Sequence, residues 1–395
     1  MTYFKIFIVI LSFSLFIMNC GSSEQSAKAD NTTNAKITAT GASSGSNTRN
    51  TSNKDTTKIE LSKDLAAKTI KEQDDLINIS LLPDWVNFAF YVNFDEIKKN
   101  KKLEEDINKH AINTFRLIAR QIGLSDYTPV PPSKINAMLG GFEVPNNPLE
   151  LQNEENIISK INLSFIMLHD RDINSSKSLK DHYKTPYKTL DKTDIYRDNA
   201  AGMLITNNEN RILVSNEKSI TENLNRLKGD KSVKNLSNDK PISESVKDLY
   251  ANYPLGWFYL NFDKNIHIVI DDLWAQVSFL IAFAGADINN TIKKLGGIDT
   301  IKKNIDNIKF IYFGAKMLEG ENINFDIGII MSNKEYADKL VDIINKLKDN
   351  ALKNKKINDK IKKKITDAQI SYQNENTPII TIKTTVDEML NRNKI

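Results

Sequence analysis

The stretch FYVNFD at residues 90–95 decides the fold, because it recurs as FYLNFD at residues 258–263. In the first copy, phenylalanine or valine stands at every second position from Phe88 to Phe94. Alternation with a period of two is typical of a strand that buries one face. A strand that recurs nearly unchanged indicates that one structural unit occurs twice in the chain.

Three further matches follow in the same order in both halves. They are LGGF at 139–142 with LGGI at 295–298, INLSFIML at 161–168 with INFDIGII at 323–330, and TENLNR at 221–226 with VDEMLNR at 386–392. Chance does not readily produce four matches in one order. Together they predict an α+β fold that consists of two tandem, internally repeated units, at residues 81–250 and 251–395.

Each unit is expected to open with a strand, continue through a helix and a Gly-Gly turn, and close with an antiparallel-rich sheet. Helices are predicted at Ile107–Ile122, Leu273–Ala284 and Tyr336–Leu347. The other predicted strands are Ile161–Leu168, Ala201–Thr206, Arg211–Ser215, Ile308–Ala315, Ile323–Met331, Gln369–Gln373 and Ile379–Thr384. Mixed strands and helices without strict alternation favour α+β over a parallel α/β sheet.

The two units carry a recurring opening and a recurring ending. Each opens with an aromatic-Tyr-x-Asn strand, and the first ends in Ile212-Leu213-Val214-Ser215 followed by a predicted short helix. This arrangement resembles a class of exported bacterial proteins of unknown function. The resemblance covers roughly Ile79 to Lys394 and implies the fold and export, but it supplies no catalytic residues.

The N-terminus carries an export signal. Lys5 is followed by an apolar run at residues 6–18, which has signal-peptide length and is too short to span a bilayer. The pattern resembles bacterial lipoprotein signals, in which the chain is cut before a cysteine that carries lipid. The resemblance implies a signal peptide at residues 1–19 and lipidation of Cys20, although Asn19 departs from the small residue of the usual motif. An ordinary secretory signal with an incidental cysteine is the alternative.

Cys20 is the single cysteine of the chain. Exported proteins commonly use cysteines in pairs, so a lone thiol at the end of an apolar run is better explained as an acylation site. Residues 20–58 are mostly small and polar and predict a disordered tether, and residues 59–80 have the periodicity of a lead-in helix. We therefore expect a lipid-anchored protein of the bacterial cell envelope, at the periplasmic face or the outer surface, with the membrane as its partner.

The charge pattern argues against nucleic acid as a partner. The formal net charge is only +4, and the densest basic run, between Lys353 and Lys364, contains no aromatic residues. Ile357, Ile361 and Ile365 recur every four residues within this run. The spacing predicts an amphipathic helix with a solvated lysine face. Weak attraction to anionic lipid or polysaccharide is the alternative.

No catalytic or metal-binding motif stands out. The densest set of candidate ligands is His169-Asp170-Arg171-Asp172 together with His182, and a solvated loop is its simpler interpretation. The pair Asp271-Asp272 is better suited to capping the following helix than to acid–base work. We therefore expect no enzyme activity, no metal and no cofactor.

The segment at residues 273–285 is apolar nearly all round. Such a helix is usually buried between other elements. The alternative is an apolar ligand site lined by Trp274, Phe279, Leu280 and Phe283. The sequence thus favours a lipid-anchored envelope protein with a non-enzymatic binding or structural body, whose partner is an apolar ligand or another envelope protein. A carrier or sensor of lipid is the alternative function.

Overall fold

The computed structural model describes residues 79–106, 129–143, 162–198, 202–238, 248–262, 292–354 and 357–390, together with positions 109, 246, 267, 271 and 290. All of these belong to one compact unit. The predicted signal peptide, the tether and the predicted helix at Leu273–Ala284 lie outside the described residues. Of the predicted lead-in helix only residues 79 and 80 are described, and of the predicted helix at Ile107–Ile122 only Lys109 is described.

The described strands form one antiparallel sheet. Its twelve strands are β1 Phe88–Asn93, β2 Ile135–Phe142, β3 Leu163–His169, β4 Lys188–Leu190, β5 Thr193–Asp198, β6 Met203–Asn208, β7 Arg211–Ser215, β8 Gly256–Asn261, β9 Ile308–Met317, β10 Asn322–Met331, β11 Gln369–Asn374 and β12 Thr377–Thr385. Their order across the sheet is β11-β12-β10-β9-β8-β1-β2-β3-β7-β6-β5-β4. This sheet and its helices confirm the predicted α+β class.

Seven α-helices with both ends among the described residues accompany the sheet. They are α1 Phe94–Lys98, α2 Ser175–Tyr183, α3 Ile220–Leu227, α4 Ile298–Ile305, α5 Lys334–Lys353, α6 Asp359–Asp367 and α7 Val386–Leu390. Asparagine caps four of them, because the side chains of Asn93, Asn174, Asn333 and Asn358 each accept a hydrogen bond from a first-turn amide. Over these described residues, no helix combines the length and apolarity that a membrane crossing requires.

The two copies of the recurring strand meet at the centre of the sheet. β1 pairs with β8, and Phe90 lies directly opposite Phe258, the equivalent residue of the second copy. Outward from β1 the order is β2, β3, β7, β6, and outward from β8 it is β9, β10, β12, β11. When residue pairs are followed from β1 through β2 to β3, and from β8 through β9 to β10, Leu163 and Phe325 occupy equivalent positions. The match between INLSFIML and INFDIGII predicts this equivalence. Strands from both predicted units therefore belong to one sheet.

The two Leu-Gly-Gly matches have different structures, and the predicted turn at residues 139–142 is wrong. Gly140 and Gly141 lie inside the central strand β2. Gly140 stands between Phe90 and Phe165 on the neighbouring strands, whose rings meet above it with centroids 5.7 Å apart. The second match is a turn, because Gly296 and Gly297 have φ angles of 94° and 89° and precede α4.

Both faces of the central strands are buried. One face carries Phe88, Phe90 and Phe258, which cluster with Leu179 of α2. The opposite face carries Trp257 and Tyr259, which are 0% and 1% exposed. Strands buried on both sides lose the simple alternation, which explains why the strand FYVN and its copy are apolar at nearly every position.

The basic run departs from its prediction. α5 ends at Lys353 and α6 begins at Asp359, so the run is divided between two helices. Ile361 of α6 is 51% exposed, although its spacing predicts a buried face. The Nζ of Lys348 donates to the carbonyl oxygens of Thr366 and Ala368, at 3.0 and 2.8 Å, and thereby joins α5 to the end of α6.

Candidate functional site

A cleft of about 490 Å³ lies between α2 and the strands β5 and β6. This volume is in the range of small-molecule binding sites. Three lysines line it, Lys177, Lys180 and Lys192. The other polar groups of the lining are the side chains of Asn174, Ser176, Thr193, Asp194 and Asn207.

Two local structures bring the lysines together. Asn174 caps α2 by accepting a hydrogen bond from the amide of Lys177, and Lys177 and Lys180 follow with helical spacing on one face. The opposite rim is the two-residue turn between β4 and β5, formed by Asp191 and Lys192. Both residues have a positive φ, 46° and 65°. Two-residue turns with positive φ at both positions match the twist of the paired strands in a hairpin. The turn holds Lys192 at the edge of the cleft.

The floor of the cleft is apolar. Leu179 is 0% and Tyr196 3% exposed, and the ring of Tyr196 stacks on that of Tyr183 at a centroid distance of 5.6 Å. Burial, with a smaller contribution from the Asp194 carboxylate, raises the pKa of Tyr196. The phenol is therefore neutral at physiological pH, and the charge of the site comes from its lysines and Asp194.

A chain of buried hydrogen bonds supports the wall behind the cleft. The Nε2 of His169 lies 2.9 Å from Oγ of Ser175, and Nδ1 lies 2.7 Å from the carbonyl oxygen of Asp170. Nδ1 carries the proton in the second contact, because a carbonyl oxygen only accepts. Ser175 also contacts Oδ1 of Asn207, whose Nδ2 donates to Oγ of Ser176 at 2.9 Å. Asn207 is thus held in place at the cleft surface.

Ser175 and His169 are the residue types that form nucleophile–base pairs in enzymes. Each residue is only 1% exposed, and the second nitrogen of His169 bonds to a backbone carbonyl instead of a carboxylate. In this arrangement the pair fixes the connection between β3 and α2. Its chemical effect on the cleft is to orient Asn207.

The remaining members of the predicted His169 cluster do not converge on the histidine. Lys134 Nζ lies 3.0 Å from Asp170 and 3.6 Å from Asp172. Partial burial acts to raise the pKa of Asp170, but the hydrogen bonds from Lys134 and Asn136 and the nearby lysine charges together lower this pKa overall. His182 is exposed on α2 and contacts the ring of Tyr183 edge-on at 4.6 Å. Among the described residues, no group of three His, Cys, Asp or Glu side chains could hold a metal ion.

The other predicted sites are mostly outside the described part of the chain. This is true of Cys20 and of the four apolar residues, Trp274, Phe279, Leu280 and Phe283. Asp271 is described and pairs with Lys302 at 2.7 Å. His267 contacts the ring of Phe262 at a centroid distance of 6.1 Å.

A second buried polar cluster surrounds Asp326 of β10, which is 5% exposed. Its Oδ1 accepts from Oγ1 of Thr381 at 2.6 Å, and its Oδ2 accepts from the hydroxyl of Tyr253 at 3.1 Å. Lys316 Nζ lies 3.6 Å away. The carboxylate is therefore satisfied, and it anchors the ring of Tyr253 across the sheet at Gly314, where an added Cβ would collide with that ring. In the sequence, the sign of this cluster is a single acidic residue within an apolar strand.

Sequence reasoning missed the lysine cleft. Lysine is abundant throughout the chain, so the presence of a few lysines carries little information by itself. Lys177 and Lys180 share a helix face, but Lys192 comes from a separate hairpin, and no spacing rule relates the two elements. The paired turn residues Asp191 and Lys192 were the one available local signal.

Comparisons with known proteins add little. No protein-family model matches the sequence, and no curated protein matches it. Crystal forms I and III of TP0453, a lipoprotein associated with the Treponema outer membrane, match the fold with TM-scores of 0.36 and 0.34 at 7% and 9% identity. Each match covers 80% of this chain, and 98% and 96% of the TP0453 chain. Crystal form IV gives 0.36, 7% identity and coverage of 82% and 98%. At these TM-scores the similarity supports no argument about function.

Proposed function

We propose that this chain is a lipid-anchored protein of the bacterial cell envelope, whose body is a non-enzymatic binding module. The cleft beside α2 carries this proposal. One of its walls is fixed by internal hydrogen bonds through Asn207, whereas Lys177, Lys180 and Lys192 extend into it. Fixed polar groups beside exposed lysine side chains suit the capture of a ligand. The nearest hydroxyl–imidazole pair, Ser175 and His169, is closed off from solvent.

The anchor is tested at Cys20. Cells that express the wild-type chain and the Cys20→Ser variant are fractionated, with and without globomycin, which blocks lipoprotein signal cleavage. We expect mature wild-type protein in the membrane fraction, and unprocessed precursor or soluble protein after either treatment. Membrane retention of a fully processed Cys20→Ser protein would refute the lipid anchor.

The carrier of apolar ligands remains the second candidate function. It rests on the apolar stretch with Trp274, Phe279, Leu280 and Phe283. Native mass spectrometry of the protein purified from its host would detect a bound lipid, and a protein free of lipid would argue against the carrier. The internal duplication likewise remains a prediction, which the matching strand order on the two sides of the β1–β8 pair supports.

A further inference from the structure

The ammonium groups of the three cleft lysines are available to a ligand. Among the described residues, neither an ion pair nor a side-chain hydrogen bond engages the ammonium groups of Lys177, Lys180 or Lys192. Asp181 stands four positions after Lys177, yet the two do not pair. On α5, Lys334 pairs with Asp338 at the same spacing, with a separation of 2.5 Å. The cleft lysines therefore retain their full capacity for an incoming anion.

The charge of the lining is positive. Three lysines and one acid, Asp194, line the cleft. One oxygen of Asp194 accepts from Oγ1 of Thr189 at 2.9 Å, which leaves its other oxygen available as an acceptor. Ser176 accepts from Asn207 and keeps its own proton to donate. The cleft thus offers cations for an anion and neutral hydrogen-bonding groups for hydroxyls.

We propose that the cleft beside α2 binds a small ligand in which a phosphate group is attached to a polar, hydroxyl-bearing body. Lysine binds phosphate as a compact point charge, and several ammonium groups match a group that carries more than one negative charge. The Asp194, Ser176 and Asn207 side chains complement hydroxyl groups. A soluble sugar phosphate and the phosphorylated headgroup of a lipid share this chemistry.

This inference deepens the proposed binding function and rests on it. It does not depend on the lipid anchor, because the cleft lies within the folded sheet region. The two are tested separately: membrane fractionation reports on Cys20, and ligand titration reports on the cleft.

The experiment uses the full-length chain with Cys20→Ser, so that no acyl chain can bind a vesicle by itself. Glucose 6-phosphate, glucose and inorganic phosphate are titrated by calorimetry at low ionic strength. Vesicles of phosphatidylcholine with and without phosphatidylglycerol are tested by flotation. The test variant is Lys177→Gln/Lys180→Gln/Lys192→Gln. The matched control is Lys231→Gln/Lys293→Gln/Lys294→Gln, because these three lysines are exposed, outside the cleft and outside the basic run at Lys353–Lys364.

We expect glucose 6-phosphate to bind more tightly than inorganic phosphate, and glucose to show no heat of binding. The cleft variant should weaken this binding by about tenfold or more, because it removes charged hydrogen bonds, and the control should change it by less than about twofold. Vesicle binding that requires phosphatidylglycerol and the cleft lysines, without binding of glucose 6-phosphate, would support a headgroup as the source.

Three results would overturn the proposal. The first is the absence of binding to any phosphate-bearing probe at millimolar concentration. The second is equal binding of glucose and glucose 6-phosphate, because the phosphate would then contribute nothing. The third is equal loss of binding in the cleft and control variants, which would indicate general surface charge. Circular dichroism of each variant establishes that it is folded before it is titrated.

Discussion

Gly140→Ala tests the reason for the glycine pair in β2. A Cβ on Gly140 would lie 2.5 Å from two ring atoms of Phe90 and would also collide with Cδ1 of the Phe165 ring. Phe90 is 2% exposed and belongs to the large core cluster. Neither ring can move far without displacing other core residues, so the new methyl group must force the two rings apart.

Two opposing effects determine the expected loss of stability. Overpacking a dense core costs roughly 1–3 kcal/mol. The backbone of Gly140 does not have the positive φ that makes alanine unfavourable, so alanine also restricts the unfolded chain and returns about 0.4–1 kcal/mol. The net change should be a destabilisation of about 1–2 kcal/mol.

Urea unfolding followed by tryptophan fluorescence measures this change, since Trp257 is fully buried in β8, which is separated from β2 by β1 alone. We expect a lower midpoint with an unchanged m-value. Phe165→Leu should provide room for the methyl group, so the double variant should be more stable than the sum of the single effects by about 1 kcal/mol. An unchanged midpoint for Gly140→Ala, or strict additivity with Phe165→Leu, would refute the steric explanation.

Two further predictions concern buried polar groups. Burial raises the pKa of Tyr312 to about 12, so its contribution to stability is complete below about pH 10, where unfolded tyrosine titrates, and is lost as the pH rises to about 12. The free energy of unfolding should therefore fall more steeply between these pH values in the wild type than in Tyr312→Phe; parallel curves would contradict this. Arg226 has a side chain that is 2% exposed, and it donates to the Lys234 carbonyl oxygen at 2.6 Å and to Asn223. Arg226→Lys loses part of these hydrogen bonds, so urea unfolding should show a free energy of unfolding that is lower by about 2 kcal/mol. Glu222→Gln removes only its exposed partner and should change stability by less than about 0.5 kcal/mol, and equal losses in the two variants would refute this assignment.

The sequence predicts the strands of this fold better than it predicts the functional cleft. Ile161–Leu168 and Ile323–Met331 correspond closely to β3 and β10, because their apolar patterns are strong and local. The cleft depends on Lys192 lying opposite Lys177. These residues belong to different elements, and the β4–β5 hairpin that carries Lys192 is held in place by tertiary contacts such as its pairing with β6.

The sequence by itself determined the α+β class and most of the described strands, and it predicts the correspondence between the two halves. These follow from local periodicity and from repetition, and both can be read along a chain. Only the tertiary structure decided that the halves share one sheet through β1 and β8. The apolar pattern of a strand shows which of its faces is buried, but it does not show which strand pairs along each of its two edges. It also decided the role of Gly140. A glycine pair favours a turn locally, but here the missing side chain admits the rings of Phe90 and Phe165 from the neighbouring strands.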